Sequence, residues 1–338
     1  MTERIHWVTY LALACALTGV VYAADTIPAK DIRQNLFSAC LFNANEGVVV
    51  GELGRFYRTA DGGKTFTRSE TNTHRGLLSV TCLDDGTVYV VGQKGLGMRS
   101  RDRGGTWQEL DTGAQKNLLS VAFPTRDLGI AVGDAGTIIR TEDGGKTWTA
   151  VPLPENIPLP EEAAEVVNPG DILLYDVSFA SPDRGWIVGE FGTIFATTDG
   201  GKTWASQKSP VQSSLFGVKF TDANHGWAVG IDSTMIRTVD GGATWERVKI
   251  PVRPGFSLAL YSVDVSGNNG WAIGDSSFLL QSTDGGATWK QAELPTSLAS
   301  NWLRGINLTN NGNGLIVGSQ GLMLMTSGDQ LRQLNKQS

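Results

Sequence analysis

Short apolar runs alternate with polar residues along most of the chain, and they recur in a fixed order. One unit begins with Leu-x-x-Val-x-Phe at Leu118 to Phe123, passes through a polar loop and enters an apolar run that ends in Val-Gly. A third short run follows after x-x-Gly. Alternation over a few residues between glycine-rich turns is typical of β-strands. Each unit therefore predicts a small sheet of consecutive hairpins.

A turn motif, [ST]-x-D-x-G-x-T-[WF], closes six of these units. Successive aspartates of the motif are 41, 41, 56, 41 and 44 residues apart. An aspartate at such a turn accepts backbone N–H bonds, the glycines adopt positive φ, and the aromatic residue packs between sheets. We predict a structural role for these Asp-box aspartates, which are Asp61, Asp102, Asp143, Asp199, Asp240 and Asp284.

Counting the other strands gives a seventh unit, which lacks the box. The leucines that open the first strands are Leu36, Leu77, Leu118, Leu174, Leu215, Leu260 and Leu303. The glycines that end the second strands are Gly51, Gly92, Gly133, Gly189, Gly230, Gly274 and Gly318. Four strands in roughly 42 residues is the size of a propeller blade. The prediction is an all-β protein, a seven-bladed β-propeller of four-stranded antiparallel blades, whose last outer strand comes from Leu331 to Asn335 or from Thr26 to Ala29.

The amino terminus has the pattern of an export signal. Arg4 precedes an almost wholly apolar run from Ile5 to Tyr22, and small residues follow at the cleavage position. We expect a signal peptide at residues 1–23, a single propeller at 24–338 and a periplasmic location. The alternative is an uncleaved anchor in the cytoplasmic membrane, since about 20 apolar residues can span a bilayer.

Composition narrows the class of partner. Glycine accounts for 42 of 338 residues, only 18% of residues are charged, and the net charge is -6. Nucleic-acid binding needs a basic surface, so we expect no nucleic-acid partner.

No pattern in the chain predicts catalysis. His74 and His225 lie in different units without neighbouring ligand residues, and neither a nucleophile motif nor a phosphate-binding loop is present. The Arg-Ile-Pro signature of sialidases, which also carry Asp boxes, is missing, and the tyrosines Tyr57, Tyr89, Tyr175 and Tyr261 occupy strand positions expected to pack in the core. We predict no enzyme activity, no cofactor and no metal.

Two cysteines remain after the signal peptide. Cys40 is the fifth residue of its first strand and Cys82 the sixth residue of the next. Adjacent strand positions point to opposite faces. On that argument we expect two buried free thiols, with a disulfide as the alternative.

The units differ most in one insertion. Residues 152–171 account for the 56-residue spacing and contain five prolines, and no basic residue occurs from Thr147 to Asp183. A proline-rich acidic segment on a rigid ring is typical of a docking surface. Its candidate binding residues are Glu155, Glu161, Glu162 and Glu165. Trp302, in another connection on the same rim, is either an interface anchor or buried between blades.

The Asp-box repeats resemble those of BNR-repeat proteins. The recurrent Gly-Trp-[IA]-[VI]-Gly strand, at Gly185 to Gly189, Gly226 to Gly230 and Gly270 to Gly274, is similar to the photosystem II stability and assembly factor family over residues 36 to 326. The resemblance implies a partner-binding arginine patch, for which the candidates are Arg58, Arg99, Arg140 and Arg237. The matching positions in the other blades are Ala196, Gln281 and Met325, and ion pairing between strands is an equally good explanation of the row.

The resemblance further implies a non-catalytic scaffold that binds a membrane-protein complex and assists its assembly or activity. The expected partner is a protein in the inner membrane, with an RND-type envelope transporter as one client class. The alternative is a glycan-binding or glycan-cleaving propeller. That alternative requires aromatic residues and carboxylates at one mouth of the channel, and the sequence shows no such group in register.

Overall fold

The computed structural model describes residues 26–165, 167–252, 257–294 and 296–335. The predicted signal peptide at residues 1–23 lies outside these residues. Within them, no helix is both long and apolar enough to cross a membrane. One short helix, α1 (Glu161–Ala164), lies in the insertion. Turns of 3-10 geometry occupy Ala29–Asp31, Glu52–Gly54, Gln93–Gly95, Pro169–Asp171, Glu190–Gly192, Asp275–Ser277, Thr296–Leu298 and Ser319–Gly321.

The strands form seven antiparallel sheets, each from one continuous stretch of chain. Strand β1 is Thr26–Pro28. Blade 1 contains β2 (Leu36–Leu41), β3 (Gly47–Gly51), β4 (Phe56–Thr59) and β5 (Thr65–Ser69). Blade 2 contains β6 (Leu77–Cys82), β7 (Val88–Gly92), β8 (Gly97–Ser100) and β9 (Gln108–Leu110). Blade 3 contains β10 (Leu118–Ala122), β11 (Gly129–Gly133), β12 (Ile138–Thr141) and β13 (Thr149–Ala150). Blade 4 contains β14 (Leu174–Phe179), β15 (Gly185–Gly189), β16 (Ile194–Thr197) and β17 (Ala205–Ser206). Blade 5 contains β18 (Leu215–Phe220), β19 (Gly226–Gly230), β20 (Thr234–Thr238) and β21 (Glu246–Arg247). Blade 6 contains β22 (Leu260–Ser266), β23 (Asn269–Gly274), β24 (Leu279–Ser282) and β25 (Lys290–Gln291). Blade 7 contains β26 (Leu303–Leu308), β27 (Asn313–Gly318), β28 (Met323–Ser327) and β29 (Gln330–Gln333).

The predicted seven-bladed propeller is confirmed, and the structure decides how the last blade is completed. Strand β29 pairs with β28, so the carboxyl-terminal segment supplies the outer strand of blade 7. Strand β1 pairs with β5 instead, with Thr26 opposite Thr67. The amino-terminal segment is therefore a fifth strand of blade 1, and its alternative role in blade 7 is wrong.

The core lies between neighbouring blades. The second strand of each blade is buried along nearly its whole length because it packs against a blade on either side. This explains why these strands are continuous apolar runs rather than alternating ones. A Cβ at Gly133 would collide with the carbonyl oxygen of Asn117, which accounts for the glycine at the end of this strand.

Side chains of the first strands join each blade to the next around the channel. The Val80 N–H donates to Ser38 Oγ at 3.2 Å, and the Leu308 N–H donates to Asp264 Oδ2 at 2.8 Å. The ring closes in the same way, because the Leu41 N–H of blade 1 donates to Asn307 Oδ1 of blade 7 at 2.8 Å. These bonds satisfy backbone donors on the inner edges of the sheets.

The two cysteines form a disulfide, and the expectation of free thiols is wrong. Cys40 and Cys82 are joined with their Cα atoms 6.1 Å apart, within the usual span of a disulfide. They lie on two neighbouring sheets that face each other. Each sheet has two sides, and neighbouring blades are stacked in the same orientation. One side of blade 1 therefore meets the other side of blade 2. Positions of opposite parity are therefore the ones that meet, and both cysteines lie in one apolar cluster between these blades.

Candidate functional site

The propeller has two distinct faces. We call the side with the turns between second and third strands, together with the connections between blades, the rim face. The opposite side, with the Asp boxes and the loops between first and second strands, is the Asp-box face. Because consecutive strands are antiparallel, these two sets of loops lie at opposite ends of each blade.

The Asp-box aspartates close turns. Asp143 Oδ1 accepts the Thr147 N–H at 2.9 Å, and its Oδ2 accepts the Thr147 hydroxyl at 2.7 Å. The hydrogen bonds from Thr147 lower the pKa of Asp143 to about 2. The same pair of bonds is made by Asp61, Asp102, Asp199, Asp240 and Asp284. Both oxygens of each carboxylate therefore accept hydrogen bonds within the turn, in agreement with a structural role for these aspartates.

Two arginines of the predicted row are buried between blades. Arg99 Nη1 donates to the Gly144 carbonyl at 2.7 Å, and Arg140 Nε donates to the Gly200 carbonyl at 2.7 Å. Both acceptors are Asp-box glycines of the following blade. Arg99 is 7% exposed and Arg140 is 8% exposed. These bonds join neighbouring blades, and within its own blade Arg99 also donates to Gln108 and Arg140 forms an ion pair with Glu142.

The other two arginines line open clefts on the Asp-box face. Arg58 lines a cleft of about 230 Å³ with Phe42 and Arg103, and its Nε has no hydrogen-bond partner among the described residues. Arg237 lines a cleft of about 450 Å³ with Trp227 and Val239. Trp227 Nε1, rather than Arg237, donates to the box of the next blade, at 2.9 Å to the Gly286 carbonyl. Arg99, although buried, also lines a cleft of about 290 Å³, together with Arg101 and Arg126. The binding role of the row stays a prediction.

The acidic insertion lies on the rim face, so the structure does not bring it together with the arginine row. The Gly136 N–H, in a rim turn of blade 3, donates to the Ile172 carbonyl at 2.7 Å. Leu153, Ile157 and Leu159 pack against the apolar cluster between blades 3 and 4. The segment therefore rests on the propeller, while its predicted binding carboxylates are exposed: Glu155, Glu161, Glu162 and Glu165.

Trp302 belongs to a group of aromatic side chains at the rim-face mouth of the channel. It is half-buried and stacks on Phe37 of blade 1, with ring centroids 6.0 Å apart and planes 11° from parallel. Across the mouth, Tyr175 meets Phe216 edge to face at 4.8 Å, and Phe216 lies 5.8 Å from Tyr261. Trp302 thus both joins two blades and contributes to an open surface.

This group overturns the expectation that no aromatic residues gather at a mouth. Phe37, Tyr175, Phe216 and Tyr261 each follow the leucine that opens a first strand. The leucine is buried, so the next side chain points towards the channel. The aromatic residues directly after the repeated leucine are therefore the sequence signal that predicts an aromatic-lined mouth. Of the tyrosines predicted to be core, Tyr57 and Tyr89 are buried at 3% and 2% exposure, whereas Tyr175 and Tyr261 are half-buried at the mouth.

Carboxylates surround the same mouth, and several support the rim turns. Glu190 Oε2 accepts the Leu173 N–H at 2.9 Å, and Asp134 Oδ2 accepts from Asn117 Nδ2 at 2.7 Å. Burial raises the pKa of Tyr175 to about 12, and the negative charge of Glu190 adds to the rise. The rim face also exposes two apolar side chains, Leu53 at 57% and Ile231 at 42%.

Charged side chains also line the channel below the mouth, in a space of about 350 Å³. Lys219 Nζ lies 2.8 Å from Asp264 Oδ1, and this carboxylate raises the pKa of Lys219. Asp176 borders the channel, but its carboxylate is enclosed between blades, where burial raises its pKa to about 6. Asp176 accepts the Val218 N–H at 2.9 Å and the Ser120 hydroxyl at 2.7 Å. These contacts connect blades 3 to 6.

Within the described ranges, no three histidine, cysteine or carboxylate side chains are grouped as metal ligands. Together, these features define an Asp-box propeller with clefts on its Asp-box face and an aromatic-lined channel mouth on its rim face.

The family follows from comparison with known proteins. The model of the family described as photosynthesis system II assembly factor YCF48 matches residues 160–215 and 203–330, just over half of the chain. The chain belongs to this family. No curated protein matches the sequence at a significant level.

Solved structures of similar fold include members of the same family. A structure described as YCF48 bound to D1 peptide has a TM-score of 0.69 at 18% identity and covers 92% of this chain and 97% of its own. YCF48 from Cyanidioschyzon merolae has a TM-score of 0.71 at 20% identity, with 90% and 98% covered. The GH74 xyloglucanase from Xanthomonas campestris has a TM-score of 0.69 at 15% identity and covers 90% of this chain but 54% of its own. At these identities the likeness shows the fold.

Proposed function

We propose that this protein is an exported, non-catalytic scaffold that binds a membrane-protein complex and assists its assembly or activity. The observation that carries the proposal is family membership, together with a relative of the same fold that was solved with a D1 peptide bound. Binding a segment of another protein is the activity that the exposed surfaces of this chain support best.

Two features support export. The chain begins with the signal-like pattern of residues 1–23. The Cys40–Cys82 disulfide is typical of oxidising compartments such as the periplasm. A periplasmic propeller reaches a membrane complex from outside the bilayer, so its contact with the membrane is through the partner or through an uncleaved amino-terminal anchor.

The proposal is tested by purification from detergent-solubilised membranes, with the protein tagged at its carboxyl end. We expect a stoichiometric membrane-protein partner to be recovered, and mass spectrometry then tests whether it is an RND-type transporter. Replacing Glu155, Glu161, Glu162 and Glu165 with glutamine should reduce recovery while leaving the melting temperature within a few degrees, because these side chains are exposed. Recovery of the chain alone, from cross-linked and untreated membranes alike, would contradict the scaffold.

A second candidate function, glycan binding, is favoured by one observation. Aromatic side chains and carboxylates do meet at the rim-face mouth, and xyloglucan-cleaving enzymes are among the proteins of similar fold. A glycan array and a xyloglucan hydrolysis assay test it. Micromolar binding or release of reducing ends would favour this function over the scaffold.

A further inference from the structure

Three aromatic rings from consecutive blades form one side of the rim-face mouth. Tyr175 and Phe216 are nearly perpendicular, at 83°, and Phe216 and Tyr261 are tilted by 41°. All three are half-buried, so part of each ring borders open space. Tyr175 and Phe216 are in edge-to-face contact, so the three rings form an inclined wall at the mouth rather than one flat platform. We call these three residues the aromatic cage.

A cation already occupies part of this cage. The Arg304 guanidinium lies over the Tyr261 ring, with Cζ 5.7 Å from the centroid. This separation is within the range of cation–π attraction, which the negative face of an aromatic ring provides. Arg304 is exposed and comes from blade 7, beyond the three cage blades. The Tyr261 ring of the cage therefore already holds a guanidinium against its face.

Negative charge surrounds the cage. The carboxylates of Glu190 and Asp134 lie close enough to Tyr175 to contribute to its raised pKa, although burial is the main cause. Asp275 acts in the same way on Tyr261, where burial again raises the pKa most. The exposed carboxylates of the insertion lie on the same face. These carboxylates favour a cationic ligand, and Arg304 is the resident positive charge that such a ligand has to compete with.

We propose that the aromatic cage of Tyr175, Phe216 and Tyr261 binds an arginine or lysine side chain from an extended, basic segment of a partner protein. Aromatic faces bind the side-chain cation, and the surrounding carboxylates attract the rest of the segment. A sugar would instead stack on a flat ring, which the inclined rings of the cage do not form together. Tyrosine hydroxyls and carboxylates beside the rings can hydrogen-bond a sugar, so a glycan is the competing ligand in the test. The inference rests on the proposed scaffold function and names the chemistry of the segment that the scaffold recognises.

The test uses a fluorescent ten-residue peptide of alternating arginine and glycine and measures binding to the purified protein by anisotropy. The matched probe replaces arginine with citrulline, which is nearly the same shape but neutral. We expect the arginine peptide to bind at least tenfold more tightly. Phe216→Leu, which keeps apolar volume but removes the ring, should weaken binding of the arginine peptide about fivefold or more.

Two further variants separate the cage from general attraction between charges. Phe37→Leu changes the same ring position in blade 1, beside Trp302, and should leave the affinity within twofold. Arg304→Gln removes the resident cation and should strengthen binding severalfold. If wild type and Phe216→Leu bind the arginine peptide with equal affinity, and salt weakens both alike, charge alone attracts the peptide. That result would overturn the proposal.

A xyloglucan oligosaccharide is the competing probe. If it binds the mouth in a Phe216-dependent way while the arginine peptide does not, the cage recognises glycans and the proposal is wrong. Circular dichroism and melting temperature confirm that each variant is folded. The peptide measurements test the cage, and the membrane purification tests the scaffold function. Because they use different materials, a negative result in one does not decide the other.

Discussion

Removing the disulfide between blades 1 and 2 should cost this protein a large part of its stability. The bond closes a loop with a sequence separation of 42 residues. A cross-link of that length reduces the entropy of the unfolded chain by an amount worth about 4 kcal/mol at 25 °C. Cys40 is buried at 7% exposure, so its reduced thiol would remain in the same apolar cluster. We therefore assign most of the expected loss to the unfolded state.

Equilibrium urea denaturation, followed by tryptophan fluorescence, measures this effect. We expect the free energy of unfolding to fall by about 4 kcal/mol when reductant is added to the wild type. The Cys40→Ala/Cys82→Ala variant is the control, and its unfolding should not respond to reductant. Two reactive thiols in the denatured but unreduced wild type, or equal unfolding curves with and without reductant, would refute the pairing and the reasoning behind it.

Three further predictions concern single side chains. Arg140→Ala removes a buried bond between blades and should lower the free energy of unfolding by about 2 kcal/mol in the same urea assay. Arg237→Ala, at an open cleft, should change it by less than about 0.5 kcal/mol. Equal losses would show that both arginines serve the fold. Asp176 has a pKa of about 6 in the folded protein, above its ordinary value, so protonation of Asp176 favours the folded state. Stability should therefore decline as the pH rises from about 4 to about 6. This decline should be absent in thermal melts of Asp176→Asn, and an unchanged pH dependence in the variant would contradict the assignment. Asp143→Ala opens an Asp-box turn and should cost about 1 to 2 kcal/mol in urea, while Asp183→Ala, an exposed aspartate on the same face, serves as the control and should cost little.

The fold could be predicted from sequence because its cause is local and repeated. Each blade is encoded by one short pattern, and the turn chemistry of the box and the apolar second strand point to the same structure. Seven copies of the opening leucine fixed the number of blades even where the box was lost. The segment that completes blade 7 could not be predicted in this way. Thr26 to Ala29 and Leu331 to Asn335 both have the pattern of an edge strand, and only the assembled ring shows which outer strand each of them pairs with.

The errors arose where two blades meet. Parity along one strand says which face a residue occupies, but contact between blades requires the opposite parity on the two sheets, as Cys40 and Cys82 show. The four arginines occupy one position of the repeat, so parity does not distinguish them. Arg99 and Arg140 donate to a box carbonyl of the next blade, whereas in blade 5 Trp227 makes that bond and leaves Arg237 at a cleft.

Two of the mouth aromatics, Tyr175 and Tyr261, occupy strand positions for which the sequence predicts core packing, and that prediction is wrong. Tyr175 and Tyr261 follow a buried leucine, and the pattern alone does not say whether the next residue meets another side chain or open channel. Only the ring of seven first strands creates that channel. Its contents are therefore a property of the closed propeller rather than of any one blade.

Photo-cross-linking in cells tests the central claim, binding of a protein partner by the rim face, most directly. A photoreactive phenylalanine analogue is introduced at Leu53 or Ile231, both exposed on the rim face, and at Val239, which is 59% exposed on the Asp-box face. We predict one discrete adduct with a membrane protein from the rim-face positions and none from Val239. An adduct from Val239 alone would place the partner on the other face, and the absence of any adduct from all three positions would contradict the scaffold function.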